Sequence, residues 1–373
     1  MTRPPFSFTA ILFGLVVFAG VLGCTKKEPI QIGFIAGLSG RVADLGVPGR
    51  NGAMLAVEQI NVAGGIHGRP VTLLARDDQQ NTETAQNAVA ELLSQKVQVI
   101  IGPMTSNMAI AVLPVINTSP AILVSPTVAT TDLSGKDDHF IRVIGVTTDY
   151  AQRNARYQVE KLGLLKTAVI YDRNNAAYSE SWLRDFRKTL EGLGGTIVRM
   201  RPYRSSDETV FLEMVMDLLS SKPDNLLIIA NAVDAALICQ QVRKVAPKLP
   251  ITMSEWASTE RFIELAGKAS ENVYVSQFLN RDDTSERYLK FRTAYMRRFG
   301  QEPGFAGVAG YDAASVVLEA MARQRMDQSL KNTIIGIGEF HCLQQWIKID
   351  RFGDAERKNY LSVIHNGQYH TLE

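Results

Sequence analysis

Cysteine is scarce in this 373-residue chain: Cys24, Cys239 and Cys342 are the only three, and no two form a Cys-x-x-Cys pair. That count and spacing exclude a zinc ribbon, a redox dithiol and a disulfide-framework domain. An excess of one charge is missing too. Forty basic residues stand against 38 acidic ones, a net charge of +2, and Arg3 is the sole charge in residues 1–23. With no basic field, nucleic acid is not an expected partner, and neither is an anionic membrane surface. Catalytic signatures are absent as well. The chain has no Gly-x-Ser-x-Gly elbow, no His-Glu-x-x-His helix and no Walker phosphate loop. The nearest glycine-rich candidate, Gly336-Ile-Gly338, lacks a third glycine, and the five histidines are scattered. His341-Cys342 reads as an ordinary loop pair, and Asp77-Asp78 and Asp137-Asp138 as solvated turn residues. The expectation is a protein that is not an enzyme and needs no cofactor or metal.

What is present is apolar sequence: 46% of residues are hydrophobic and 21% charged, enough to bury a sizeable core. At roughly 150 residues per domain, the length predicts two or three domains. Residues 6–23 carry no charge and end in Val21-Leu22-Gly23-Cys24. A basic start, an apolar centre and small residues before a cut are the parts of a signal peptide. A cysteine directly after the small residue resembles a bacterial lipobox, with Cys24 lipidated as the mature N-terminus. The competing reading is a transmembrane helix, since 18 apolar residues lie near the spanning minimum. Cys239 and Cys342 fit either a pair in an oxidising compartment or two buried thiols.

From residue 31 the chain alternates short apolar runs with helical patterns. Strands are predicted at 31–37, 71–75, 97–102, 121–125 and 140–144, with helices between them, including one capped by Thr82 and one over Ser106–Ile116. The alternation restarts at Thr167-Ala-Val-Ile-Tyr171 and runs through strands at 196–200, 225–230, 251–253 and 273–275. Helices over 285–299 and 310–323 and strands over 346–349 and 360–364 follow. Alternation of this kind predicts an α/β fold, with parallel sheets covered on both faces, in two halves. Two strand ends in the first half stop in small-residue turns, Ile101-Gly-Pro-Met-Thr-Ser106 and Val124-Ser-Pro-Thr127-Val-Ala-Thr130. Ligands of open parallel sheets sit at such ends, where hydroxyls and helix N–H groups suit a carboxylate. Ordinary capping by Ser106 is the plainer alternative.

The lipobox, the opening Ile32-Gly-Phe-Ile-Ala-Gly-Leu-Ser-Gly40 and the stretch Asn51–Pro70 resemble the amino-acid-binding proteins that serve ABC transporters, above all the leucine/isoleucine/valine-binding proteins. Ile101-Gly-Pro103, Val124-Ser-Pro126, Tyr171-Asp172, Tyr311-Asp-Ala-Ala314 and Asn366-Gly367 continue the resemblance over residues 30–370. It implies a type I periplasmic binding protein fold: two Rossmann-like lobes joined by a three-crossing hinge that close on a ligand. The implied segments are a lipoprotein signal peptide at 1–23 and a linker at 24–29. Lobe one would comprise 30–144 and 277–354, and lobe two 145–276 and 355–373.

The same resemblance implies ligand contacts. Ser106 matches a carboxylate-binding serine, and Thr127 a position offering backbone groups. Tyr178 falls where an aromatic residue of lobe two is used, and Glu255 where a carboxylate takes the ligand's α-ammonium. Three positions depart from the family pattern. Ala129 replaces a threonine hydroxyl, a loss that Thr130 would have to make good. Tyr178-Ser-Glu-Ser181 replaces a glycine-containing turn, and Asn231 stands where some relatives place a second aromatic, which implies a more polar pocket. Trp256 fits either pocket or core. The implied protein is a lipid-anchored, extracytoplasmic monomer on a bacterial membrane. It would deliver an amino acid, branched-chain or a related zwitterion, to an ABC permease. A sensor of the same fold, or a binder of an amide- or urea-type solute, is the alternative.

Overall fold

The computed structural model describes residues 1–2 and 27–372. The apolar segment 6–23 and Cys24 lie outside the described residues. The first half of the chain runs β1 (Ile30–Ala36), α1 (Ala43–Val62), β2 (Val71–Asp77), α2 (Thr82–Ser94), β3 (Val99–Ile101), α3 (Ser106–Ile116), β4 (Ile122–Ser125) and β5 (Phe140–Arg142). These strands form one parallel sheet in the order β2-β1-β3-β4-β5. Alternation along β1 explains its two covered faces: Ile32 and Phe34 pack with α1, whereas Ile35 joins Ile100 against α2 and α3.

The second half runs α4 (Thr147–Arg156), β6 (Lys166–Asp172), α5 (Ala176–Gly192), β7 (Thr196–Tyr203), α6 (Phe211–Ser220), β8 (Asn225–Ile229), α7 (Ala232–Val245), β9 (Ile251–Met253), α8 (Glu260–Ala266) and β10 (Val273–Gln277). The chain then returns to the first lobe with α9 (Glu286–Phe299), α10 (Gly304–Arg323), α11 (Leu330–Ile337) and the small antiparallel sheet β11 (Glu339–His341), β12 (Trp346–Ile349) and β13 (Ala355–Glu356). It ends in the second lobe with β14 (Tyr360–His365) and β15 (Gln368–Thr371). The second sheet has the order β15-β14-β10-β9-β8-β6-β7.

The structure is the α/β architecture expected from the alternation, with local corrections. Asn81, not Thr82, caps α2, because its side chain accepts from Thr84 N. The predicted helix 310–323 begins six residues earlier at Gly304. The second sheet is not wholly parallel: β14 and β15 pair antiparallel, with Asn366 and Gly367 both at positive φ (52° and 70°) between them. An Asn-Gly pair in that conformation is the tight hairpin turn that matches strand twist. Gly336 lies inside α11 and Gly338 closes it, so this segment is a helix end. Asp78 is fully buried rather than solvated. Cys239 and Cys342 are buried free thiols, which resolves their pairing.

Helices α1 and α10 make a glycine-lined crossing. A Cβ on Gly52 would lie 2.0 Å from Gly307 O, and one on Gly310 would lie 2.0 Å from Gly49 O. Only bare backbone permits that approach, and it fixes the ends of both helices from which Leu45 and Phe305 reach the interlobe space. The α10 helix is apolar and long enough to cross a membrane by composition, but it is mostly buried inside the fold.

Between the sheets the chain passes three times, after β5, after β10 and after β13. Arg357, on the third passage, touches the other two. Its Nη1 donates to Val143 O at 3.0 Å, and its guanidinium lies 3.9 Å from the centre of the Phe278 ring. Its Nη2 donates to Asp312 Oδ2 of α10 at 2.6 Å, and both side chains are completely buried. The second Asp312 oxygen accepts from Leu343 N at 3.0 Å.

Candidate functional site

The carboxyl ends of β3 and β4 in one lobe face those of β6 and β9 in the other across an enclosed cavity. The free volume there is only about 20 Å³, room for about one water molecule, so the two lobes are drawn close together around it. From the first lobe it is lined by Leu45, Met104, Ser106, Thr127 and Phe305. The second lobe contributes Asn175, Tyr178, Glu255 and Trp256, and Ile144 lines it from the first passage between the sheets. A larger and more open groove lies nearby at the rim, between α1 and Glu260–Glu264. Its half-buried acid, Asp44, already accepts from Thr259 Oγ1 at 2.7 Å.

What distinguishes the enclosed cavity is unspent polarity. Ser106 opens α3 directly after β3 and is 1% exposed, and its Oγ has no hydrogen-bond partner. Thr105, the residue before the helix, gives it no side-chain cap and donates instead to Gln80 Oε1. Within the first turn Asn107 N–H already donates across the gap to Asn175 Oδ1 at 3.0 Å, so the uncommitted donor at this helix start is the Ser106 hydroxyl. Thr127 Oγ1 donates to Met104 O at 2.6 Å, so this residue offers the cavity mainly its backbone.

Across the gap, Tyr178 lies in the first turns of α5 and is buried, with its hydroxyl unpartnered. Its ring meets that of Trp256 edge-on, 5.6 Å between centres. Glu255 opens a short 3-10 turn after β9. Trp182 Nε1 donates to Glu255 Oε2 at 3.0 Å, while Oε1 is buried without a partner. Among the described residues no Lys, Arg or His forms an ion pair with this carboxylate. Burial pushes it up to about 7, against which hydrogen bonding, including that from Trp182, pulls it down only in part. The Tyr178 hydroxyl is raised well above its ordinary value by burial and by the charge of Glu255.

Of the six ligand contacts expected from the sequence, the structure gathers Ser106, Thr127, Tyr178 and Glu255 on one cavity. It does not bring Ala129 or Asn231 there. Ala129 is packed in the core with its carbonyl accepting from Thr147 N, and the Thr130 hydroxyl accepts from Asp132 N instead of standing in for the lost threonine. Asn231 caps α7: its side chain accepts from Asp234 N and donates to Asp234 Oδ2. The pocket is accordingly more apolar than expected, with Leu45, Met104, Ile144, Trp256 and Phe305 on its walls. Trp256 both lines it and joins the core. The serines of Tyr178-Ser-Glu-Ser181 continue α5 instead of forming a turn, with Ser179 Oγ donating to Asp172 O and Ser181 Oγ bonded to Thr147 Oγ1.

Sequence reading missed Leu45, Met104, Ile144, Asn175 and Phe305. Met104 sits in the same strand-end turn as Ser106, and Phe305 follows Pro303-Gly304 at a helix start, so both positions carried a signal. Leu45 and Ile144 look like any core residue. Among the described residues no group of three or more His, Cys, Asp or Glu side chains is placed to hold a metal. His341 stacks on Trp346 with ring centres 4.6 Å apart.

The profile of the periplasmic binding protein family matches residues 29–334. A Leu/Ile/Val-binding protein of Rhizobium johnstonii is 27% identical over 257 residues, covering 69% of this chain and 68% of that one. The Leu/Ile/Val-binding protein of Escherichia coli K12 is 22% identical over 274 residues, covering 73% and 74%. Among solved structures, the branched-chain amino acid transporter substrate-binding protein of Streptococcus pneumoniae, in complex with isoleucine, superposes with a TM-score of 0.85 at 23% identity over 92% of this chain and 99% of that one. A solute-binding protein of an ABC transporter from R. palustris, in complex with benzoate, gives a TM-score of 0.83 at 18% identity over 92% and 95%.

Proposed function

Because the chain belongs to the periplasmic binding protein family, whose members bind solutes rather than transform them, we propose that it is the extracytoplasmic solute-binding protein of an ABC importer, with an amino acid as its cargo. One observation carries the choice of cargo: Glu255 is a buried carboxylate with a free oxygen and no cationic partner. A buried charge without a partner is costly, and a ligand ammonium is the missing half of the pair. Ser106 Oγ and the Thr127 backbone take the ligand's carboxylate from the opposite lobe. Tyr178 and Trp256 flank the ligand, and the apolar walls suit an aliphatic side chain once the lobes part to admit it. Only a zwitterion bridges both ends, so closure gains contacts that the open form lacks.

The moving bodies are residues 30–144 with 278–356, and 145–277 with 357–372, because Gln277 pairs with Tyr360 in the second sheet while Ala355 and Glu356 pair with β12 of the first lobe, which shifts the bounds expected from the sequence. The partner is a membrane permease that docks the closed form of a monomer. A lipid at Cys24 holds the protein at the membrane. Cys24→Ala should release it into the soluble fraction with ligand affinity unchanged, as fractionation and titration would report. A variant that stays membrane-bound would favour an uncleaved helix.

Benzoate, the ligand of one solved neighbour, is a useful contrast, since it has a carboxylate and no ammonium. It would leave Glu255 unpaired. Thermal unfolding of the full chain against L-leucine, L-isoleucine, L-valine, polar amino acids, benzoate and urea separates the readings. A ligand at 100 times its dissociation constant adds about 2.7 kcal/mol of stability. The expected result is a shift with aliphatic amino acids and none with benzoate or urea. A response to benzoate or urea, with silence from every amino acid, would remove Glu255 as an ammonium trap.

A further inference from the structure

Arg41 lies in the first lobe, in a 3-10 turn just before α1, yet its side chain ends inside the second lobe. Its Nη1 donates to Asp234 Oδ1 at 2.6 Å, across 193 residues of sequence. The Asp234 side chain is completely buried and that of Arg41 is 23% exposed. The second lobe holds this carboxylate rigidly with neutral groups of its own. Tyr203 OH donates to Oδ2 at 3.0 Å and Asn231 Nδ2 to the same oxygen at 3.1 Å. Among the described residues, the only cation paired with Asp234 comes from across the cleft. Parting the lobes would remove that cation and leave the carboxylate with its neutral donors alone. Neither Arg41 nor Asp234 lines the enclosed cavity.

We infer that Arg41 and Asp234 form a latch that sets ligand affinity by setting how often the lobes are closed. Arg41 is a positioning residue, acting on the ligand only through closure. Asn231, placed in the pocket by resemblance, belongs to this latch instead. The pair differs from the other contact that Arg41 makes. Its bond to Asp207 Oδ1 at 3.0 Å reaches a side chain 97% exposed, and such surface pairs contribute little. Cross-lobe hydrogen bonds without charge, such as Asn107 Nδ2 to Asn174 O at 2.7 Å, help closure but respond weakly to salt. The affinity of a closing protein scales with the fraction that is already closed.

The latch depends on the two-lobe closure proposed above but not on the identity of the cargo, so its first test uses no ligand. Trp256 sits between the lobes, whereas Trp182 is buried within the second lobe and Trp346 is on the surface of the first. Fluorine NMR of the full chain carrying 5-fluorotryptophan therefore reads closure at Trp256 against two internal references. Arg41→Ala should move the Trp256 signal toward the open form by roughly tenfold in population. Raising sodium chloride to about 1 M should move the parent the same way by a smaller amount, since a largely buried pair is only partly screened, and should move the variant less still. Asp207→Ala should change nothing, and Arg41→Lys should restore part of the closed signal. With L-leucine as the probe, Arg41→Ala should weaken binding by the same factor as the population shift. A Trp256 signal unchanged by Arg41→Ala, with Trp182 confirming an intact fold, overturns the latch. A shifted Trp256 signal with no leucine binding in parent or variant keeps the latch and discards the amino-acid cargo.

Discussion

Glu255→Gln should weaken binding of a zwitterionic amino acid by roughly 2–5 kcal/mol, the usual result of removing one partner of a buried charge pair, and should stabilise the ligand-free protein at the same time. Glutamine keeps an acceptor for Trp182 Nε1 and removes a charge that the fold buries without a counter-ion. Burial holds the carboxyl at about 7, above its ordinary 4.5. Between those two values the folded state binds the proton more tightly than the unfolded chain does. This contribution to stability is complete below 4.5 and is lost as pH rises through 7, a swing on the order of 3 kcal/mol. The variant has no such titration. It should match the parent at pH 4 and unfold at a higher temperature at pH 8. Ligand affinity should run the other way in the parent, flat above pH 7 and falling about tenfold per unit below it, because the site must shed a proton to take an ammonium. Calorimetric titration from pH 5 to 8 reads this directly. A pH-independent affinity equal in parent and variant would take Glu255 out of the site.

Asp312→Ala should cost about 3–5 kcal/mol of stability, because it leaves the Arg357 guanidinium buried and uncompensated. The damage is not confined to one lobe, since Arg357 also holds Val143 O and packs on Phe278. Arg357→Met in the same chain removes the orphaned charge, so the double variant should be more stable than Asp312→Ala alone. Urea unfolding of the parent, both single variants and the double variant measures the coupling. Additive losses would mean that the pair is not a unit.

The two sheets were legible because buried parallel strands are short apolar runs, and Ile32–Ala36, Val99–Ile101 and Leu226–Ile229 are of that kind. Helix α4 was not. Its sequence Thr147–Arg156 is polar overall, and packing of Tyr150, Ala151 and Asn154 makes it a helix rather than any apolar run. Asp78 read as a solvated turn residue because its neighbours are polar. It is buried since Gln80 folds back on it, with both its backbone N–H and its side-chain amide donating to Asp78 Oδ1. For the site, Ser106 carried a local cue at a helix start after a strand. Glu255 carried none beyond the resemblance, because its lack of a partner exists only in three dimensions. Asn231 misled for a related reason: the residue that claims it, Asp234, is pinned by an arginine 193 positions away.

The two buried thiols have a practical corollary. Cys239 packs in the core of the second lobe, where burial pushes it up to about 12, and Cys342 packs with the first, also raised by burial. A thiolate is the reactive form, so neither reacts with an alkylating reagent while its surroundings hold. Each becomes a clock for its own lobe. Alkylation timed by mass spectrometry would count the excursions in which one lobe comes apart while the other stays shut, a census of partial unfolding.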